Sequence, residues 1–301
     1  MLHWYKSLRR DWFIRRHYGE ERPTTFRITG GSHALSINPD DGRVRKILLY
    51  DTARGRRKTN QMFWLDAVAS FDPSVCIDVG LNYGECLLSP HYRPDVRLHG
   101  FEANPGLLPY LARTIDTHPG KNAITLHAAA AGDAPGEVHL AVDEAWSGSS
   151  HLAKQSAGTV AVPCVRVDDA VPRPAAHDRL LLKVDVEGFE PPVLRGLTET
   201  IAAAGSVLAF VEFSPGLTTD RGHDVAGYWD ALRDQFTMHL CTGTGHAELI
   251  ADNDWAAARE TIAVDHCDLI LTRGDHGPID RFLTRWVAHR TAARRTAARA
   301  A

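Results

Sequence analysis

The stretch Cys76-Ile77-Asp78-Val79-Gly80-Leu81-Asn82-Tyr83-Gly84-Glu85 decides the fold. An apolar run, Val75–Val79, enters a turn with glycines at 80 and 84 and leaves toward a helix start. Glycine lets the chain bend there with no Cβ in the way, so backbone N–H groups can approach a ligand closely. The spacing is Gly-x-Asn-x-Gly, which is not the G-x-G-x-x-G of dinucleotide binding. Asp78 would also repel a pyrophosphate, whereas it suits a ligand with a cationic end.

Outward from this stretch, apolar runs alternate with helical patterns, as in a parallel sheet with crossovers. Seven strands are expected, at Val75–Val79, Val96–Phe101, Ile124–Ala129, Leu180–Val186, Val207–Phe213, Met238–Cys241 and Cys267–Thr272. Helices are expected at about 60–70, at 85–89 before Pro90, and at 107–118 with a late start because of Pro109. Two more follow, one after Pro191-Pro192 and one carrying Val225, Trp229, Leu232 and Phe236. Before the sheet, Trp4 to Arg16 reads as a basic amphipathic helix with its aromatic side chains packed inward. Residues 25–50 read as strands, with a turn at Asp40-Asp41-Gly42 leading into Val44–Tyr50. The expected organisation is an N-terminal helix and β-hairpin extension (1–59), a catalytic α/β domain (60–279) and a basic C-terminal helix or tail (280–301).

The 301 residues carry a net charge of −3, but 281–301 hold six arginines and no acid, and 1–22 have a +3 surplus, leaving 23–280 at −12. That interior is a poor nucleic-acid surface, so no nucleic-acid partner is expected. The N-terminal 22 residues suit a peripheral membrane or partner contact. No apolar run approaches the ~18 residues of a membrane span, and the start lacks a secretory apolar core, so a cytoplasmic location is expected. Five scattered cysteines with no C-x-x-C pair suggest neither a disulfide framework nor a cysteine zinc site.

Two further stretches carry chemistry. Phe101-Glu102-Ala103-Asn104-Pro105 puts an acid at the end of the second parallel strand, where both hydroxyls of a ribose can be bound. A nucleoside with a positive rather than a phosphorylated tail points to S-adenosylmethionine. Lys183-Val184-Asp185-Val186-Glu187 then alternates charged and apolar residues at the carboxyl end of a buried strand, so the three charges should share one face. For Lys183 an internal ion pair with an aspartate is the preferred reading; for Asp185, function. Glu212 adds a carboxylate at the same rim.

Taken in order, these pieces resemble the FkbM-type methyltransferases. The match runs through Asp78–Glu85, Phe101–Pro105, Ala129–Gly132 with Gly136-Glu137, Trp146–Ser150, Val165–Asp169, Lys183–Glu190 and Glu212–Ser214. The resemblance implies a Rossmann-like class I methyltransferase fold and S-adenosylmethionine as cofactor. It also implies methylation of a hydroxyl on a sugar or natural product. On that basis Asp78, Gly80, Asn82 and Gly84 would hold the amino-acid end, Glu102 the ribose, and Ala129–Asp133, including Ala130 and Asp133, would lie along the adenine. The catalytic set would be Asp185 or Glu187 as base, with Glu212 positioning the hydroxyl. Trp146, Ser149 and Ser150 would line the pocket of a small polyhydroxylated acceptor. An Asp185/Glu212 magnesium site shows no evident third ligand and is not favoured. A catalytically silent cofactor-binding protein and a nucleic-acid methyltransferase are the alternatives; the latter lacks an Asn/Asp-Pro-Pro-Tyr/Phe motif.

Overall fold

The computed structural model describes residues 11–54, 59–242, 246–250, 255, 266–284 and 286. Three clean alternations of side chains build its centre. On strands β3 (Val75–Val79), β10 (Arg179–Val184) and β11 (Ser206–Phe213), Val75, Ile77, Val79, Leu180, Leu182, Val184, Val207, Ala209 and Val211 face one side. Cys76, Leu181, Leu208 and Phe210 face the other. This period of two buries both faces, which a sheet does only when helices cover both.

The remaining strands join this centre in an eight-stranded sheet of order β13-β12-β14-β11-β10-β3-β4-β5. Here β4 is Arg97–Phe101, β5 Ile124–His127, β12 Thr237–Thr242, β13 His246–Leu249 and β14 Cys267–Gly274. The pairs from β5 to β11 are parallel; β14 is antiparallel to both β11 and β12. The seven strands expected from the sequence are all present, and β13 adds an edge hairpin. All the parallel strands point their carboxyl ends to one rim, where open α/β sheets bind ligands.

One face is covered by helix α2 (Thr59–Ser70) and helix α3 (Leu108–Thr117), the latter starting late with Pro109 in its first turn. The other carries α4 (Val167–Ala170), α5 (Glu190–Arg195), α6 (Thr198–Ala203), α7 (Pro215–Asp220) and α8 (Val225–Gln235). Trp229 and Leu232 of α8 are buried beside Val193, Leu197 and Ile201. What the sequence presents as one helix after Pro191-Pro192 is two, broken at Gly196, where a Cβ would stand 2.0 Å from the Gly132 carbonyl. The turn after Gly84 closes a single hydrogen bond, Leu88 N–H to Gly84 C=O, and Pro90 stops it from becoming the expected helix.

The N-terminal region departs most from expectation. The short pair β1 (Thr25–Phe26) and β2 (Leu35–Ser36) is antiparallel, as the hairpin reading requires. Val44–Tyr50, expected as strand, belongs to helix α1 (Gly42–Arg54). Val44, Ile47 and Leu48 are all buried, an i, i+3, i+4 set that only a helix brings to one side. Asp41 starts this helix by accepting the Arg43 N–H at 2.8 Å. Residues 11–18 are helical, but Trp12 is 53% exposed while Ile14 is buried, so the aromatic stripe does not supply the inward face there. Residues 4–10 of the expected helix, and the tail beyond 286, lie outside the described residues. Ile14, Phe26, Ile28, Leu35, Val44, Phe63, Trp64, Phe282 and Trp286 belong to one apolar cluster with the sheet residues Leu98 and Phe210, so the described part of the extension shares the main core.

A second sheet, absent from the expected organisation, is inserted between β5 and β10. Its order is β6-β9-β7-β8, from β6 (Ala130–Ala131), β7 (Gly136–Ala141), β8 (His151–Ala153) and β9 (Thr159–Val165).

Candidate functional site

A cavity of 580 Å³ opens at the carboxyl ends of β3, β4, β10 and β11, within the size range of small-molecule sites. Asp78, Gly80, Asn82, Glu102, Ala130, Trp146, Ser150, Asp185, Glu187 and Glu212 all line it. Strand register explains how they meet. Asp78 lies opposite Lys183 on β10 and opposite Gly100 on β4. Glu212 lies opposite Asp268 on β14.

Lys183 is buried at the floor. Its Nζ donates to Asp78 Oδ1 at 3.2 Å and to the Gly80 carbonyl at 3.1 Å, and it pairs with Asp185 Oδ2 at 3.3 Å. The ion-pair reading of Lys183 is therefore right, and the residue joins the two ends of the cavity. Burial alone would discharge this ammonium; Asp185 and Asp78 instead hold its pKa above that of an ordinary lysine. Burial pushes Asp78 up to about 6 despite the pull of Lys183.

The glycine turn sits against this floor. Gly80 has φ of 82°, and a Cβ on it would lie 1.9 Å from the Asp185 carbonyl oxygen. Only glycine allows the turn to approach the next strand so closely. Asn82, also at positive φ, gives its N–H to Glu102 Oε2 at 2.7 Å, while the Asn104 N–H reaches Glu102 Oε1 at 2.8 Å. Glu102 is thus fixed by two backbone donors and keeps further acceptor positions. Burial still raises its pKa to about 7.

Beyond Lys183, β10 stops at Val184, so Asp185 and Glu187 enter the cavity from a loop rather than by strand alternation. Buried Glu190 shapes this loop, its Oε1 accepting the N–H groups of Val186 at 2.9 Å and Gly188 at 3.2 Å. Glu187 takes φ of 55°, in the left-handed region. Its carboxyl is raised to about 8, first by burial and then by Glu212, Asp185 and Glu190. Glu212 Oε1 faces His266 Nδ1 at 3.2 Å, and that nitrogen also meets Ser214 Oγ at 2.8 Å. The hydrogen bond to Glu212 raises His266 to about 9. Asp268, raised to about 7 by burial and by Asp185, completes this rim.

The mouth is built from the N-terminal helix and the inserted sheet. Arg43 Nη1 donates to Asn82 Oδ1 at 2.9 Å and bonds Glu85. Ser147 N–H meets Asp41 Oδ1 at 3.3 Å, and the Gly42 N–H donates to the Ala145 carbonyl. Lys46 lies over the Trp146 ring at 5.4 Å.

Three expected site residues are not on the cavity wall. Asp133 is turned outward into a two-pronged pair with Arg195 at 2.7 and 2.8 Å, whereas Ala129, Ala130 and Ala131 do line the cavity. Ser149 bonds Asp143 and the Trp146 carbonyl within its own turn. Gly84 serves the backbone, with φ of 83° against Leu88. Conversely, Arg43, Glu85, Glu190, His266 and Asp268 belong to the site or brace it without any role read from the sequence. Asp268 carried the same signal as Asp78, an acid within an apolar strand; nothing marked Arg43 or His266.

A mostly parallel sheet flanked by helices, with acids near the ends of β3 and β4 and a glycine turn between them, is the Rossmann-like class I methyltransferase architecture that the family match implies. A family profile described as the methyltransferase FkbM domain matches residues 78–237, and the chain belongs to that S-adenosylmethionine-dependent family. No curated protein matches. Among solved structures, the chain is similar to the methyltransferase FkbM from Methylobacillus flagellatus KT, at 15% identity and TM-score 0.42, over 77% of this chain and 55% of that one. It therefore spans about half the length of that relative. It is also similar to the O-methyltransferase TomG from Streptomyces achromogenes, involved in tomaymycin synthesis and solved with S-adenosylmethionine (14%, TM-score 0.40, 71% and 79%). A methyltransferase from Geobacter sulfurreducens gives 11%, TM-score 0.39, and coverage of 78% and 89%. No helix among the described residues is long and apolar enough to cross a membrane.

Proposed function

We propose that this chain transfers a methyl group from S-adenosylmethionine to a hydroxyl of a small polyhydroxylated acceptor, a sugar or natural product. The observation that carries the reading is one cavity lined by Asp78 and Glu102 and by Asp185, Glu187 and Glu212, with Lys183 paired to both Asp78 and Asp185. The cofactor end fits its ligand chemically. Asp78, kept in place by Lys183, suits an ammonium. Glu102, fixed by two backbone N–H groups, suits a pair of ribose hydroxyls. Ala130, Leu140, Leu152 and Phe189 provide apolar wall for a base.

When bound, the cofactor supplies a methyl group on a sulfonium, which needs only an oriented nucleophile. Positioning is the protein's main contribution. Glu212, itself held by His266, orients the acceptor hydroxyl, and Asp185 or Glu187 receives its proton. A carboxyl poised near neutrality suits that role better than an ordinary one. Trp146 and Ser150, at the mouth, would select the acceptor.

Calorimetric titration of S-adenosylmethionine into wild type and D78A tests the cofactor half. Micromolar binding that D78A weakens supports it, and absence of binding to wild type rejects it. Mass-spectrometric detection of a 14 Da gain on hydroxylated but not on amine-only acceptors tests the rest.

A further inference from the structure

The three carboxylates that the proposed transfer uses are also grouped more closely than orienting a hydroxyl and taking its proton requires. Asp185, Glu187 and Glu212 each bring a carboxylate oxygen within 4.8 Å of the other two. The three come from different backbone settings: the residue after β10, a loop residue held at positive φ, and β11. Acidic residues often cluster on surfaces, where water screens them. This cluster differs in one member. Glu212 is 7% exposed; its Oε1 is taken by His266, and its Oε2 is buried with no hydrogen-bond partner. A buried carboxylate oxygen without a donor carries an unmet desolvation cost, so a missing partner is indicated. Asp268, across the register from Glu212, is a further acid on the same wall. Lys183 already serves Asp78, Asp185 and the Gly80 carbonyl.

We infer that Asp185, Glu187 and Glu212 form a binding site for one hard divalent cation of the Mg²⁺ class, at the acceptor end of the cavity. The donor set is all oxygen, as such ions require, and three carboxylates leave octahedral positions open. Those positions face the cavity, where adjacent hydroxyls of a polyhydroxylated acceptor can replace water. A carboxylate that binds through one oxygen keeps its second for the proton role described above. The site thus deepens the methyltransferase reading by assigning acceptor capture to an ion. The binding itself is independent of the reading.

Mn²⁺ serves as the probe, its free concentration read by electron paramagnetic resonance on the full chain, without and with S-adenosylmethionine. Wild type is expected to take up one Mn²⁺ that Mg²⁺ displaces. E187Q and E212Q should each weaken uptake by about tenfold or more. E187Q alters a loop residue and keeps the test valid if E212Q fails to fold. Absence of uptake by wild type at millimolar Mn²⁺, or uptake unchanged in folded E187Q, overturns the inference. Calorimetry with S-adenosylmethionine on the same samples separates the two claims: cofactor binding without Mn²⁺ uptake removes the cation site alone, and loss of both removes the methyltransferase reading as well.

Discussion

Replacing Glu102 by glutamine tests the cofactor end most directly, because its carboxylate is both fixed and costly. Two backbone N–H groups hold it, yet burial leaves its pKa at about 7 in the free protein. Ligand hydroxyls donate to the ionised form, so binding must first remove any proton present. A group at about 7 weakens apparent affinity about elevenfold at pH 6 and only about 1.3-fold at pH 7.5, so wild-type affinity should rise about eightfold across that interval. Asp78, at about 6, adds up to about twofold in the same direction. The interval stops at pH 7.5 because an α-amino group is half-deprotonated by about pH 7.7.

Glutamine removes the titration and one acceptor oxygen. Loss of hydrogen bonds to a charged group, at about 1.5–3 kcal/mol, predicts binding about 10- to 100-fold weaker at pH 7.5. The residual pH dependence should be only the twofold of Asp78. Folding is not expected to suffer. The raised pKa means that ionising Glu102 costs the free protein stability as pH climbs from its unfolded value of 4.5 through 7, by about 3 kcal/mol. Relief of that cost offsets the about 1–3 kcal/mol of a backbone N–H left facing the new amide NH2. Isothermal titration calorimetry at the two pH values, with thermal melts of both proteins, measures all of this. Equal affinity of wild type and E102Q at pH 7.5, or a wild-type affinity independent of pH, would refute the assignment.

Lys183→Met should destabilise by about 3–5 kcal/mol at pH 8, because it strands Asp78 and Asp185 without their buried cation. The deficit should shrink at pH 5, where Asp78 is protonated, and urea unfolding at the two pH values checks it; an equal deficit at both would contradict the ion-pair account. Gly80→Ala places a Cβ 1.9 Å from a backbone oxygen at φ of 82°, so loss of cofactor binding and a stability loss above about 2 kcal/mol are expected by calorimetry and melting. Glu187→Gln should lower kcat by about 10²–10⁴ while leaving the Kd for S-adenosylmethionine unchanged, in a single-acceptor kinetic assay. A parallel loss of cofactor affinity would place Glu187 elsewhere in the mechanism.

What was legible in the sequence is what period and local motif encode. The seven main strands announce themselves through predominantly apolar runs, and Asp78, Glu102, Asp185 and Glu212 through being acids within or at the ends of such runs. Val44–Tyr50 misled because Val44, Ile47, Leu48 and Leu49 are as compatible with a buried strand as with a helix, and only Asp41's cap decides between them. The second sheet was hidden by short, half-exposed strands whose alternation, Val138 with Leu140 and Val160 with Val162, is brief. Glu187 shows a different limit. Simple alternation put it on a face with Lys183 and Asp185, but it reaches the cavity through a left-handed backbone residue braced by Glu190. Arg43 and His266 come from outside the glycine turn and the parallel strands, and no local pattern points from them to a partner 39 or 54 residues away.

The position of β14 has a consequence for how the molecule is made. Among the described residues it is the last of the sheet strands in sequence, yet it lies between β11 and β12. During synthesis, those two strands emerge with facing edges that only a later segment can pair. Until residue 274 has left the ribosome, an interior gap stands open in the sheet and offers unpaired N–H and C=O groups to other chains. The same segment delivers His266 and Asp268 to the rim beside Glu212. The cofactor end can therefore take shape as soon as β10 is in place, whereas the acceptor end is finished only with the final strand, and a chain interrupted before it would be prone to aggregate.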